Sequence, residues 1–466
     1  MFRCTLIATA IALAYAVPVS AQESEIAKIR EEIRQMKEGY ERRIEALEKR
    51  LAEAEAKPGK GHAAAPEAAA APSRPGRPGG ENAFNPAISL TLQGTYARTS
   101  RDPNTHQITG FVPSGGEVGP PKRSFGLAET ELNFSANVDP YFRGVAIAAL
   151  TPENEVEIEE AYFQTLALPQ GFTLKGGRFL SGIGYQNEIH QHAWDFQDAP
   201  LPYKAFLGGR LRHDGVQLRW LAPTPIFLEL GAEVSSGDQF PGSDRNKNGV
   251  GGSALFGHLG GDFGTDYSWR AGLSHLRAAP SNRAYEDTDS LGSPVVNSFT
   301  GRARLWVADA VLKWAPHGNA SNTNFKLQGE YFRSRQDGQL TYDDTAAVGP
   351  FGVLSDGLSV RQSGWYGQAV WQFMPRWRVG YRYDTLRHGS NSNGIVTNGL
   401  GPTSADFPVL AAHSPTRNTA MLDWSPTEFS RLRLQFAADK SRIGATDRQI
   451  ILQYLHSLGA HGAHRF

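Results

Sequence analysis

The sequence contains one cysteine and four methionines among 466 residues. The cysteine, Cys4, comes before a short apolar run over residues 6–17, and the small residues 19–21 follow that run. With Arg3 in front, this order is typical of an export signal over 1–21 that is cleaved after Ala21. Cys4 would leave with the signal, so we expect an exported chain without disulfides, cysteine-metal centres or thiol catalysis.

Net charge and long hydrophobic runs are also missing. Lys and Arg together number 47, the same as Asp and Glu, and this balance argues against a nucleic-acid partner. Beyond the signal, no stretch approaches the roughly eighteen apolar residues of a transmembrane helix. The nucleophile elbow, the HExxH zinc motif and the phosphate loop are not found either, so we expect no enzymatic activity.

Glycine is abundant, with 50 residues, and aromatic residues make up 10% of the chain. From residue 87 onward, apolar and polar residues alternate. In "RLWVADAVLKW", for example, Trp306, Ala308 and Leu312 share one face, and Asp309 and Lys313 share the other. Charges on the polar face would be costly in a packed sandwich but are stable in a wet lumen. The sequence therefore predicts an all-β transmembrane barrel over 87–466.

About sixteen antiparallel strands can be placed in this region. Tight turns such as Asp139-Pro140 and Met374-Pro375 alternate with longer connections, for example 185–210, 279–301, 337–357 and 390–415. Short turns on one rim and long loops on the other are typical of outer-membrane barrels, and an even count places both chain ends in the periplasm. We expect the barrel to lie in a Gram-negative outer membrane, in contact with its lipid and lipopolysaccharide.

The region before the barrel has a different pattern. Over 22–56, apolar residues recur every three or four positions among Glu, Lys and Arg, which predicts a coiled-coil helix. Isoleucines at both core positions favour more than two strands, so we expect a homo-trimer. Residues 57–86 are rich in Pro, Ala and Gly and predict a linker. By the strand parity, this coiled coil would lie in the periplasm.

The polar faces of the predicted strands supply candidate lumen-facing residues. They mix both signs of charge along the wall of the predicted pore. We predict that nine such side chains face the lumen: Arg178, Arg219, Glu229, Asp309, Lys313, Arg378, Arg382, Arg431 and Arg433.

A family resemblance follows from this order of segments. A signal, a short periplasmic coiled coil, a linker and sixteen strands resemble the trimeric outer-membrane porins, especially the phosphate-selective type. The stretches "HAWDFQDAPLPYKAFLGG", "DGVQLRWLAPTPIFLELGAE" and "LGAHGAH" also resemble envelope proteins labelled zinc-regulated TonB-dependent outer membrane receptors. By the strand count, 185–210 is the third extracellular loop, and the porin resemblance implies that this loop folds into the barrel and narrows the channel.

That loop contains "YQNEIHQHAWDFQD", which is rich in ionisable residues. A ring of opposed charges at a narrow point selects solutes by charge and size. We therefore predict a pore constriction formed by residues of this loop: Glu188, His190, His192, Asp195, Asp198, Lys204 and Arg210.

The same histidines allow a metal site. His190 and His192 stand two residues apart, so both rings would lie on one side of an extended segment, and neutral imidazole is a good zinc ligand. His461 and His464 near the C-terminus are candidates for a separate cation site. A polar loop without any cofactor is the simpler interpretation, and Zn²⁺ is kept as the alternative.

Three functions follow. The first is a channel for diffusion of small hydrophilic solutes or ions. The second is a zinc-linked uptake protein. The third is a structural barrel whose residues 23–56 contact peptidoglycan or a periplasmic partner.

Overall fold

A computed structural model of the protein describes residues 86–115 and 118–459. The predicted signal over 1–21 and the predicted coiled coil over 22–56 lie outside the described residues. So do His461, His464 and all of the predicted linker over 57–86 except Pro86. The described residues of the barrel belong to one compact unit.

The described residues form one antiparallel sheet that closes on itself, because the first strand pairs with the last. The strands are β1 (Ala87–Thr99), β2 (Ser124–Leu127), β3 (Thr130–Asn137), β4 (Phe142–Leu150), β5 (Val156–Thr165), β6 (Phe172–Leu180), β7 (Arg212–Leu221), β8 (Phe227–Ser235), β9 (Gly252–Phe263), β10 (Tyr267–Ala278), β11 (Arg283–Thr288), β12 (Pro294–Trp314), β13 (Asn324–Asp343), β14 (Val353–Met374), β15 (Trp377–Asn393), β16 (Thr416–Thr427), β17 (Ser430–Asp439) and β18 (Asp447–Gly459).

Two of these strands continue others across an interruption. β2 and β3 lie end to end beside β1, and β10 and β11 lie end to end beside β12. The barrel wall is therefore sixteen strands around, which confirms the fold class predicted from the sequence.

The two rims differ in the length of their connections. β14 ends at Met374 and β15 begins at Trp377, whereas the connection between β6 and β7 on the other rim runs over 181–211. The predicted alternation of short and long connections is therefore present. Two predicted connections were wrong in extent, because most of 279–301 and much of 337–357 are strand in β11–β14. Their outward faces are polar, so the apolar alternation that reveals a membrane strand fades there.

The outer wall is apolar. The exposed large hydrophobic side chains project outward from the strands, for example Leu218, Leu259, Trp306, Tyr381 and Leu452. An apolar surface of this extent around a closed sheet is the lipid-facing surface of a transmembrane barrel. In the described part of the chain, no helix is long and apolar enough to cross a membrane.

The inner wall is polar over much of its length but is not wet throughout. The connection between β6 and β7 contains a helix, α1 (Leu201–Leu207), every residue of which is buried. α1 packs against inward-facing residues of β12–β15 that include Leu305, Phe332 and Leu386. The interior is therefore apolar in this region, because the loop brings its own apolar residues into the barrel.

The Phe256 side chain on β9 allows a test of the packing on the inner face of the barrel. A Cβ added to Gly231 on β8 would lie 2.0 Å from the Phe256 ring, and one added to Gly182 would lie 2.4 Å from it. We expect Gly231→Val to displace this ring and destabilise the barrel by about 1–3 kcal/mol. Thermal unfolding in detergent measures the change. The outward-facing Ala232→Val is the matched control, and an equal effect of both substitutions would contradict this packing.

Candidate functional site: the loop between β6 and β7

The loop over 181–211 is the third connection on the long-loop rim, as predicted. It includes two 3₁₀ turns, Gln186–Glu188 and Gln191–Ala193, and then α1. Gly208 ends α1 in the left-handed conformation, with φ of 65°, and its N–H donates to the carbonyl of Tyr203. A glycine at this position is a common helix end, because it has no Cβ to oppose positive φ.

Asn187 closes the neck of the loop. Its side-chain amide donates to the carbonyls of Ser181 at 2.8 Å and Leu211 at 2.9 Å, and its Oδ1 accepts from the Leu211 N–H at 2.7 Å. One side chain thus ties the two ends of the loop together. The intervening residues then fold inward as a unit.

Glu330 on β13 anchors the first turn of the loop. Its carboxylate accepts from the N–H groups of Tyr185 at 3.2 Å and Gln186 at 2.9 Å, and from the hydroxyls of Tyr203 at 2.8 Å and Tyr366 at 2.6 Å. All of these groups are buried, so each donor would lose its partner if the carboxylate were removed.

The first ionic anchor of the loop is Glu188. It pairs with Arg219 on β7 and with Arg270 on β10, the second at 3.4 Å. Burial alone would raise the pKa of Glu188, but the two guanidinium groups outweigh burial and hold that pKa far below its usual value. Glu188 therefore stays charged at neutral pH.

Two aspartates form the second anchor, on the other side of the barrel. Asp195 pairs with Lys326 on β13 and with Arg378 on β15, the latter at 3.2 Å. Asp198 pairs with Lys204 of α1 at 2.7 Å and, among wall residues, with Arg382 at 3.3 Å and with Arg417. Burial opposes ionisation of both aspartates, but these cations lower the pKa of each one.

The third anchor reverses the signs. Here the loop supplies His190, His192 and Arg210, and the wall supplies four glutamates. His190 Nε2 lies 3.0 Å from Glu160, and His192 Nδ1 lies 2.9 Å from Glu131. The partners of Arg210 complete this glutamate cluster, which consists of Glu129, Glu131, Glu159 and Glu160.

Two irregularities in the strands bring these glutamates together. Beside β1, the interruption between β2 and β3 adds one residue, so that Glu129 and Glu131 are both buried. On β5, a bulge between the Ile147 and Ala148 pairings leaves Glu159 as an extra residue, and Glu159 and Glu160 are both buried. A bulge re-aims side chains that would otherwise alternate between the two faces.

All seven predicted constriction residues therefore lie inside the barrel, but in three clusters rather than one ring. Their wall partners are on β3, β5, β7, β10, β13, β15 and β16, which lie all the way around the barrel. The loop thus crosses the interior and contacts the wall on every side.

Eight of the nine predicted lumen residues are on the inner wall: Arg219, Glu229, Asp309, Lys313, Arg378, Arg382, Arg431 and Arg433. Arg178 was assigned wrongly. It lies on the outer face, where it pairs with Asp214 at 2.6 Å, and both side chains are partly exposed. Its position near the end of β6 allows the charge to reach water, so the charge alone did not indicate the face.

Several partners were missed from the sequence. Among them are Glu159, Glu160 and Arg417. The doubled glutamate in "VEIEEAYFQ" interrupts the alternation and was the available signal for the bulge. The partners on β13 and β16 had no such signal, because they are far from the loop in sequence.

A cavity of about 550 Å³, lined by both charged and apolar side chains, lies on the short-turn side of the loop. It extends from Gly171, in the turn before β6, to Glu188 of the loop. Its lining combines side chains of both charges and neutral amides with the apolar residues Leu221, Phe227 and Trp269. The lining side chains include Lys175, Gln217, Arg219, Glu229 and Arg270.

No family model matches the chain. An uncharacterized protein of Aquifex aeolicus (strain VF5) is 31% identical over 428 residues, which covers 84% of this chain and 81% of that protein. The chain belongs to the family of this Aquifex protein. The alignment spans most of both chains, so membership extends over the barrel.

Solved structures also resemble the chain at low identity. OmpT of Vibrio cholerae in a trimer form is 9% identical, with a TM-score of 0.48 over 80% of this chain and 99% of that one. The outer membrane channel DcaP of Acinetobacter baumannii is 12% identical, with a TM-score of 0.44 over 80% and 96%. An anion-selective porin from Comamonas acidovorans is 9% identical, with a TM-score of 0.45 over 80% and 99%. The barrel itself has the features of an outer-membrane β-barrel: sixteen antiparallel strands, an apolar outer wall and short turns on one rim.

The role of Glu330 can be tested directly. We expect Glu330→Ala to leave four donors unpaired and to loosen the loop, with a loss of about 2–5 kcal/mol of stability. Hydrogen exchange of residues 185–207 should accelerate, while exchange in β17 and β18 stays unchanged. Glu330→Gln keeps two acceptor sites and should have a smaller effect. Unchanged exchange in the loop of the alanine variant would contradict the anchoring role.

Proposed function

We propose that the protein is an outer-membrane channel for small hydrophilic solutes, in which the loop over 181–211 narrows the lumen. One observation carries the proposal. The loop crosses the interior and is held by ion pairs on opposite sides of the wall, through Glu188, Asp195 and Asp198. The cavity that ends at Glu188 supports the same function, because the charged and amide side chains in its lining can contact hydrated solutes.

The pairing of charges bears on selectivity. Basic wall residues such as Arg219, Arg378 and Arg417 are each paired with a carboxylate of the loop. Paired charges produce a weaker field than bare ones. We therefore favour a channel that selects mainly by size, with weak preference for either sign, over a strongly phosphate-selective one.

Single-channel recording in planar bilayers tests the channel. We expect a stable conductance from the full-length protein. Asp195→Asn with Asp198→Asn would remove the loop carboxylates that pair with Lys326, Arg378, Arg382 and Arg417. The three arginines keep wall aspartates as partners, whereas Lys326 loses its carboxylate, so we expect a larger, noisier and more anion-selective current. Asp214→Asn, whose carboxylate lies on the outer wall, is the control. A correctly inserted wild-type barrel that carries no ions would contradict the channel, and an unchanged current in the double variant would contradict the role of the loop.

A second candidate, a metal-linked uptake protein, is favoured by the glutamate cluster. His190 Nδ1 lies 3.4 Å from Glu131 and 3.3 Å from Glu159, and these three residues offer ligand atoms within 4.8 Å of one another. Nδ1 of His190 and Oε2 of Glu159 are buried, and neither makes a hydrogen bond to any residue in the described ranges. Orphaned polar atoms that converge on one point are what a cation site requires.

The ligand types indicate the class of ion. One or two imidazole nitrogens with two carboxylates suit Zn²⁺ or a similar divalent transition ion better than Ca²⁺ or Mg²⁺, which take oxygen ligands only. Four glutamates against one arginine leave excess negative charge in this cluster, and the ion would neutralise it. The further pair predicted at His461 and His464 lies outside the described residues and stays a prediction.

Competition with a fluorescent zinc chelator tests this site on the detergent-purified full chain. We expect one Zn²⁺ per chain, with affinity reduced about 10- to 100-fold by Glu159→Gln or His190→Ala. Glu229→Gln is a matched control, because Glu229 lies 3.0 Å from His258 in a similar pair outside the cluster. Zinc binding that Glu159→Gln leaves intact, or that Glu229→Gln reduces equally, would contradict the site.

The proposed trimer and the proposed envelope contact both involve residues 23–56, which lie outside the described residues. Deleting that segment and comparing envelope integrity with permeability separates the tethering role from the channel.

A further inference from the structure

A second concentration of charge lies on the outside of the barrel. Seven exposed arginines project outward from neighbouring strands and are referred to here as the outer arginine belt. They are Arg277 on β10, Arg302 and Arg304 on β12, Arg333 and Arg335 on β13, Arg361 on β14 and Arg387 on β15.

Four members of the belt are directly opposite one another. Arg277 pairs in register with Arg304, Arg304 with Arg335, and Arg335 with Arg361. Side chains opposite each other on one face of an antiparallel pair are about 5 Å apart at Cβ, and like charges at that spacing repel. A row of four guanidinium groups across four strands is therefore unfavourable unless an anion lies over it.

The protein itself supplies few carboxylates to neutralise these arginines. Arg335 pairs with Asp337 at 2.6 Å, but among the described residues the other six arginines form no ion pair and no side-chain hydrogen bond. Two arginines on other strands differ: Arg178 pairs with Asp214 at 2.6 Å and Arg212 with Glu157 at 3.0 Å. The belt thus keeps a large uncompensated positive charge.

The belt begins where the aromatic residues of the outer wall end. Along β12, Arg304 follows Trp306 toward the long-loop rim, and along β13, Arg333 follows Tyr331. On β14, Arg361 lies four residues beyond Trp365. Outward-facing aromatics mark the membrane interface in barrels, so the arginines beyond them lie at the level of the lipid headgroups of the outer leaflet.

We propose that the outer arginine belt binds the phosphate groups of a lipopolysaccharide molecule through its lipid A headgroup. Guanidinium groups donate in a planar fork that matches phosphate oxygens, and several on one face engage a headgroup with two phosphates at once. The acyl chains would lie against the apolar wall below, next to Trp306 and Trp365, which are exposed. A soluble phosphate would use only the charge and would gain nothing from this wall.

Lipid binding to the detergent-purified full chain tests the proposal, by native mass spectrometry and by thermal unfolding. The probe is diphosphoryl lipid A, compared with the dephosphorylated lipid and with inorganic phosphate. In the wild type we expect binding of one diphosphoryl lipid and a raised unfolding temperature. In the triple variant Arg304→Gln, Arg335→Gln, Arg361→Gln we expect about 100-fold weaker binding.

The variant also gives a result that does not depend on lipid. Removing three mutually repelling charges should leave the lipid-free barrel equally stable or more stable, which shows that the variant folds. Arg178→Gln with Arg212→Gln is the matched control, since these arginines already have protein partners, and it should bind lipid A as the wild type does.

Three results would overturn the proposal. They are equal binding of the phosphorylated and dephosphorylated lipids, equal protection by inorganic phosphate at millimolar concentration, and unchanged lipid A binding in the triple variant. Loss of an oligomer in that variant without any change in lipid binding would assign the belt to contact between copies instead.

Discussion

The neutralisation of charge inside a closed wall is the constraint on which the interior depends. The inner wall presents arginines on one side and glutamates on another, and a single loop carries the opposite charge to each. Glu188, Asp195 and Asp198 point to the basic wall, whereas His190 and Arg210 point to the acidic one. Breaking one partner of a buried pair leaves the other uncompensated, so these contacts fix the position of the loop more than they add stability.

The apolar part of the loop is held by packing rather than by ion pairs. α1 packs Leu201, Phe206 and Leu207 against inward-facing side chains of the long strands β12–β15. The buried apolar cluster lies on one side and the ionic anchors on the others, and the cavity lies on the short-turn side. The loop therefore divides the interior into two regions of different character, and both arise from one connection between adjacent strands.

Period-two alternation and turn chemistry were sufficient to predict the barrel, the strand count and the parity of the rims. Alternation also placed most lumen residues correctly, because lipid tolerates few charges on the outer face. It failed at Arg178, where the strand end reaches water, and in 279–301 and 337–357, where the outward face is polar. Those are the places where the membrane no longer constrains the sequence.

The sequence predicted the loop residues of the site but not their partners on the barrel wall. The residue types in "EIHQHAWDFQD" identified the charged loop, but its partners depend on register and on bulges. Glu159 faces inward because of one extra residue in β5, and Arg417 comes from a strand more than two hundred residues later. No local sequence pattern predicts the position of Glu159 or the pairing of Arg417, since both depend on the register of the closed sheet.

The closure of the sheet also has a consequence for the order of folding. The guanidinium of Arg433 on β17 donates to the carbonyl of Trp194, across 239 residues of chain, and Gln435 on the same strand accepts from the Gln197 N–H. The loop cannot complete these contacts until the last strands have arrived. Contacts of such long sequence separation are slow to form, so we expect insertion of the loop and sealing of the β1–β18 seam to come late in assembly.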